Sequence, residues 1–250
     1  FLIVNCDGMD RQFVVALDKH TGKVAWWTWR SGPLSPEPDQ QKAYATPLVI
    51  RVGEAEQLVS PGADWLTAYD PLTGGEIWKV HYKAFSTVPR PLFAHGLVYF
   101  VTGFTKPELW AVRPDGRGNV TESHVVWKSP KQVPANPSPI VVGSEIYFVS
   151  DQGVCTCLDA LTGEEVWRQR VPGKYSASPI LAGGLLYFSN EEGTTSVIRP
   201  GREFELVATN AIEGQLLASL VAVDGVIFLR SDTHLYRIEN RPPTTTARGE

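Results

Sequence analysis

Five acidic positions recur just after runs of aromatic and β-branched residues: Asp7, Asp64, Asp151, Glu191 (followed by Glu192) and Asp232. Carboxylates that occupy one place in a repeated unit gather around a common mouth if the units are arranged radially. Such a ring focuses a field that favours a cation, calcium for instance, or a basic partner. A structural reading competes with this one, because Asp-Gly and Asp-Gln-Gly are ordinary turn sequences whose carboxylates bond nearby backbone N–H groups. Trp65 and Phe104 stand in the same stretches, and with the acids they form the candidate binding set. Leu34, in the longest proline-rich loop (Arg30 to Lys42, with Pro33, Pro36 and Pro38), is a further contact candidate.

Other chemistry-bearing residues are scattered. His20, His81, His95, His124 and His234 fall in turns or strand ends of different units, and none shows the H-E-x-x-H or two-His-one-carboxylate spacing of a metal site. No G-x-S-x-G elbow and no phosphate-binding glycine loop occurs. Cys155 and Cys157 flank Thr156 on a predicted strand, so they share a face and are poorly placed to bridge each other. With Cys6 they make three cysteines, too few for a disulfide framework. No catalytic residue and no metal ligand is assigned.

What must position these residues is a repeat. One phrase is written three times: Ala16-Leu-Asp18-Lys-His-Thr-Gly22-Lys-Val-Ala-Trp26, then Ala68 to Trp78 around Asp70 and Gly74, then Cys157 to Trp167 around Asp159 and Gly163. Each reads as a strand ending in Asp, a tight Thr-Gly turn, and a second strand carrying Trp. Trp127 ends a fourth, looser copy, in which Arg113 to His124 replaces the turn with a longer polar loop. The fifth copy has no Trp, and Phe204 is the candidate substitute. The first copy offers both Trp26 and Trp27, and the spacing from Gly22 selects Trp26.

Upstream of each phrase come a small residue followed by Pro (Thr46, Ser138, Ser178), a glycine turn, and an aromatic run such as Ile146-Tyr-Phe-Val149. The matched slots Asp18, Asp70, Arg113, Asp159, Arg199 and Arg237 are 52, 43, 46, 40 and 38 residues apart. Four strands of about five residues with their turns fill ~40 residues, which is one propeller blade. The expected fold is therefore all-β: a β-propeller of four-stranded antiparallel blades, about six in this chain. They form one domain over 1–240, with a disordered tail over 241–250.

Composition narrows the function classes. A formal charge of −4 over 250 residues leaves no electrostatic footprint for nucleic acid. No apolar run approaches the ~18–20 residues that span a bilayer. Phe1-Leu-Ile-Val-Asn5 reads as a strand already under way, with no signal peptide ahead of it, and predicts that residues of the natural protein precede it.

The pattern A-x-D-x-x-T-G-x-x-x-W, over roughly Phe1 to Asn240, resembles the tryptophan-docking repeat of the pyrroloquinoline-quinone-like β-propellers, BamB-like and of the bacterial exported type. That superfamily includes quinoprotein alcohol dehydrogenases and outer-membrane assembly lipoproteins. The resemblance implies an eight-bladed ring, of which this chain holds the last six blades. It also implies a periplasmic or secreted location and a non-catalytic scaffold binding a protein or polysaccharide. Its alternative is a quinone- or metal-dependent dehydrogenase with ligands partly in missing blades. Such an enzyme needs pyrroloquinoline quinone, calcium held by acidic and amide side chains, and a disulfide of adjacent cysteines. This chain has no adjacent cysteine pair.

Overall fold

The Asp-x-x-Thr-Gly turn is set by its own side chains. In the computed structural model, which describes residues 1–240, Asp18 Oδ1 accepts from the N–H groups of His20 and Thr21 and from the Thr21 hydroxyl. Asp70 Oδ1 takes the N–H groups of Leu72 and Thr73, and Asp159 Oδ1 those of Leu161 and Thr162. These bonds hold the carboxyls of Asp18 and Asp159 below the usual carboxylate range, the Thr21 and Thr162 amides contributing most. Each turn closes with its glycine at positive φ: Gly22 at 70°, Gly74 at 74° and Gly163 at 73°.

The described residues form six sheets of antiparallel strands, and these turns join the outer two strands in three of them. With strands lettered A to D from the inside outward, blade 1 has B, C and D (Leu2–Asp7, Gln12–Leu17, Val24–Trp29). Blade 2 is Leu48–Val52, Ala55–Pro61, Trp65–Tyr69 and Glu76–His81. Blade 3 is Leu92–Ala94, Leu97–Val101, Leu109–Val112 and Val125–Ser129. Blade 4 is Ile140–Val142, Glu145–Val149, Val154–Asp159 and Glu165–Arg170. Blade 5 is Ile180–Ala182, Leu185–Ser189, Thr194–Arg199 and Glu205–Ala211. Blade 6 has A, B and C (Val221–Val223, Val226–Arg230, Leu235–Glu239). This is the expected all-β architecture, with three strands in the first and last blades. The tail expected over 241–250 lies outside the described residues.

The small residue that leads each phrase has a packing reason. Ala16, Ala68, Ala111 and Cys157 sit directly opposite Trp26, Trp78, Trp127 and Trp167 on the neighbouring strand, and a bulge follows each pair. A large side chain there would fill the space of the indole. In blade 5, which lacks the Trp, the sizes are exchanged: Val197 faces Ala208.

Three of the repeat's Trp residues dock on the turn of the next blade. The Trp26 indole N–H donates to the Pro71 carbonyl (3.1 Å), that of Trp127 to Ala160 (3.0 Å), and that of Trp167 to Gly201 (3.0 Å). The ring lies flat on the glycine: a Cβ on Gly74 would come within 2.5 Å of Trp26, and one on Gly163 within 2.6 Å of Trp127. Trp26 is the docked residue of its pair, as the spacing selects, while Trp27 is 52% exposed. Phe204 does not replace a blade 5 Trp. It sits in the blade 5 turn and packs edge-on against Trp167 of blade 4 (5.2 Å), so it lines the socket rather than filling the next one.

Gly22 provides an internal comparison. Its turn matches the other two, but no heavy atom of the described residues lies within 4 Å of its Cβ position. Alanine at Gly22 therefore carries only the positive-φ strain, about 1 kcal/mol. Alanine at Gly163 adds a collision with Trp127 and is expected to lower the melting temperature by a clearly larger amount in thermal denaturation followed by circular dichroism. Equal losses for Gly22→Ala and Gly163→Ala would mean that the indole does not bear on the glycine.

Blade 3 departs from the pattern as its sequence does. Residues 113–124 form a two-residue strand, Gly118–Asn119, and a short helix, Thr121–His124. The strand adds in parallel to the D strand of blade 2, Gly118 opposite Trp78, making that blade five-stranded. The loop thus covers Trp78 completely, and Gln57 bridges the missing docking contact. Trp78 Nε1 donates to Gln57 Oε1 (2.7 Å), and Gln57 Nε2 donates to the Pro114 carbonyl (3.1 Å).

An inner seam complements the outer one. The small residues that begin the A strands link consecutive blades: the Arg90 N–H donates to Ser138 Oγ, the Ser138 N–H to Ser178 Oγ, and the Ser178 N–H to Ser219 Oγ. Between the seams lie the apolar cores, the largest joining blades 2 and 3 around Trp78, Phe100 and Trp110. Blade 1 turns an uncovered apolar face outward, with Leu2, Val4, Trp27 and Trp29 exposed.

Candidate functional site: the loop face

The B–C loops and the D–A loops share one face of the propeller, and the acids of the candidate set connect them. Asp64 Oδ2 accepts from the Ser35 N–H (3.0 Å), in the D–A loop entering its own blade. Asp151 accepts from the N–H groups of Ala135 (2.7 Å) and Asn136 (3.2 Å), Glu191 from the Ser176 hydroxyl (2.6 Å), and Asp232 from the Gln215 N–H (3.0 Å). The backbone of the same residues holds the loop that leaves the blade. The Asp64 carbonyl accepts from Tyr82, that of Asp151 from Tyr175, and that of Glu191 from Leu216. Asp64, Asp151 and Glu191 are therefore clamps between successive loops, and Asp232 holds the loop entering its blade.

Blade 3, which has no acid here, makes the equivalent tie with its main chain: the Phe104 N–H donates to the Phe85 carbonyl (3.0 Å). Gly103 at φ 145° permits that approach, since a Cβ there would lie 2.3 Å from the same oxygen. In blade 1, Asp7 is fully buried and bidentate to Arg30, at 2.5 and 2.7 Å. Burial raises the carboxyls of Asp7 and Asp64, opposed by Arg30 in the first case and by the Ser35 amide in the second.

Among the described residues no three His, Cys, Asp or Glu side chains converge as a metal site would require. Cys155 and Cys157 are free and buried against blade 5, and burial pushes the Cys157 thiol up to about 12. The carboxylates point to loop donors rather than to a common centre, and adjacent cysteines are absent. The described residues thus do not fit a calcium–quinone site.

A cleft of about 730 Å³ opens on this face between the long loop 30–47, the loop after blade 2 and the B–C loop of blade 3. Of the residues singled out in the sequence, Leu34, Asp64 and His81 line it, whereas Asp151, Glu191 and Asp232 belong to loops of later blades. Phe104 is 61% exposed. Trp65 is buried and serves as a support: its indole N–H donates to the Pro33 carbonyl (2.9 Å), its ring packs on His81, and Gly32 rests on its face.

Sequence reasoning passed over Lys83, Phe85 and Lys106 in the same cleft. The available signal was the stretch Tyr82-Lys-Ala-Phe-Ser-Thr87, a loop that turns without a glycine. Lys83 (φ 52°) and Ser86 (φ 54°) are both left-handed there, as is Asp64 (φ 62°) across the cleft.

The family model described as outer membrane protein assembly factor BamB matches residues 10–118 and again residues 108–217. No curated protein matches the sequence. Among solved structures, BamB from Moraxella catarrhalis superposes with a TM-score of 0.62 at 14% identity, covering 91% of this chain and 68% of that one. Saccharomyces cerevisiae Sqt1 superposes with a TM-score of 0.67 at 11% identity, covering 95% of this chain and 69% of that one. Identities this low establish a shared propeller fold and leave function to the site. The repeated phrase, the indoles docked from blade to blade and the two consecutive family matches agree, and the chain belongs to the BamB family of β-propeller proteins.

Proposed function

We propose that this chain is a non-catalytic propeller scaffold whose loop face binds a protein partner in the bacterial envelope. The observation that carries the reading is the use of the loop-face acids. They are committed to fixing loops against one another, which makes a rigid surface, and among the described residues they do not converge into a metal-holding cluster. The family's description as an outer membrane assembly factor supports both the protein-binding role and a periplasmic or secreted location. A polysaccharide partner is the competing ligand, and a quinone-dependent dehydrogenase the competing class.

The test is co-purification from a solubilised envelope fraction with the native chain and with Leu34→Ser/Phe104→Ser. A partner protein retained by the native chain is expected to be lost from the variant at an unchanged melting temperature. Dye reduction after addition of pyrroloquinoline quinone and calcium, or selective binding on a glycan array with no protein retained, would overturn it.

A further inference from the structure

We propose that the cleft between the loop 30–47 and blade 3 is a docking site for an extended acidic peptide segment carrying an apolar side chain. The proposal rests on the protein-binding reading above and names the chemistry of the partner. Two observations carry it, the distribution of charge in the cleft and the way its floor is built.

The cleft holds two carboxylates and two ammonium groups, and they are used differently. Asp64 is buried and accepts from the Ser35 N–H, and Glu108 Oε2 accepts from the Trp110 indole N–H at 2.7 Å. Each acid is held by one of the protein's own N–H donors. Lys83 and Lys106 are exposed, come from different loops, and make no side-chain hydrogen bond or close ion pair among the described residues; Lys83 feels the Asp64 carboxylate across the cleft, and Lys106 faces no such partner. Pro33, Leu34, Pro36 and Phe85 form an apolar wall beside them. Ammonium groups on separate loops next to an apolar wall complement a ligand with more than one carboxylate and an apolar group. An extended peptide with acidic residues around an apolar one has that chemistry. The chain as a whole is acidic, so this local complement is not a by-product of a basic surface.

The floor is also over-determined. Of the six non-glycine residues with positive φ among the described residues, three (Asp64, Lys83 and Ser86) are at or beside this cleft. Strain of this kind persists only where the surroundings enforce it, and it concentrates at binding sites. Here four backbone bonds enforce it. The Asp64 N–H donates to Ala84, that of Tyr82 to Asp64, that of Ser86 to Lys42 and that of Phe104 to Phe85. The Thr87 hydroxyl adds a bond to the Thr102 carbonyl. Lys83 is thus presented on a loop tied to the other two walls of the cleft and to the B–C loop of blade 2, which lowers the ordering cost of binding.

The probe is a short fluorescein-labelled peptide of alternating glutamate and leucine, followed by fluorescence anisotropy. Its glutamine counterpart is the control. The native chain is expected to bind the acidic probe at least about tenfold more tightly than the glutamine one, and less tightly as salt rises. Lys83→Asn/Lys106→Gln is expected to abolish that preference, asparagine being chosen because it accepts the left-handed backbone. Lys106→Gln alone, at a position without that backbone demand, is expected to weaken binding in the same direction. Lys131→Gln, on the loop entering blade 4, is expected to change nothing. Equal affinity of the native chain and the double variant, no preference for the acidic probe, or a loss with Lys131→Gln instead overturns the cleft assignment. These results leave the protein-binding reading standing if Leu34→Ser/Phe104→Ser still loses its partner. If that variant keeps the same partners, the broader reading falls as well.

Discussion

Arg30→Ala is expected to destabilise the propeller by about 3–5 kcal/mol, the cost of leaving a buried carboxylate without its counter-ion. Arg30 and Asp7 have side chains 2% and 0% exposed. The guanidinium makes two bonds to the carboxylate and reaches across the blade boundary to Ser60 Oγ (2.9 Å) and the carbonyls of Ser60 and Pro61. Gly62 makes room for it, since a Cβ there would come within 2.7 Å of Arg30 Nε. The pair therefore clamps blade 1 to blade 2, and alanine would orphan Asp7 and take a donor from three acceptors of blade 2. The urea midpoint should fall sharply for Arg30→Ala and recover toward the native value in Asp7→Leu/Arg30→Met, because an apolar pair avoids the desolvation that the ion pair offsets. A midpoint for Arg30→Ala near that of the native chain would show that water reaches Asp7 and that the clamp is not buried in solution.

The same pair shows where the sequence stops being legible. Asp7 reads as one member of a recurring acid set because the turns that carry these residues are local, and local chemistry repeats with the blade. What each carboxylate bonds to is decided by the D–A loops. Those loops differ in length and composition from blade to blade, so a ring of carboxylates and a set of loop clamps have the same sequence signature. In blade 3 the Phe104 amide replaces the acid, and only the fold reveals that the two devices are equivalent. The repeated phrase, in contrast, was legible throughout. Asp, Thr and Gly satisfy one another within five residues, and the small residue opposite Trp is a pairwise volume constraint.

Even that phrase concealed a tertiary fact. Its parts read as one unit within a blade, yet Trp26, Trp127 and Trp167 each serve the turn of the next blade, so a docked indole needs two successive blades. The cleft was the least legible feature. Its residues come from the longest loop, a glycine-free turn and the one B–C loop without an acid at the recurring position, and nothing periodic relates them. Departures from the repeat mark it better than the repeat itself does, as expected where a rigid scaffold carries function on its irregular loops.

Trp78→Ala is the second substitution with a large expected effect, about 3–5 kcal/mol, and it tests whether an indole buried at a blade boundary holds the blades together. Trp78 is fully buried at the centre of the core shared by blades 2 and 3. Its loss removes the indole's contacts and leaves Gln57 Oε1 and the cover strand Gly118–Asn119 without what they pack on. The comparison is Trp27→Ala, the same chemical change at a ring that is half exposed and touches only Phe13 and Trp29 among the aromatic residues. That variant is expected to lose about 1 kcal/mol. Urea denaturation followed by tryptophan fluorescence and circular dichroism should separate the two clearly. Similar losses would mean that these indoles contribute by size alone and that the blade-to-blade contact carries no special share of the stability. A large loss for Trp78→Ala, with Gln57→Leu falling between the two, would locate the strength of the array at the boundary between blades, where the sequence places its most regular signal.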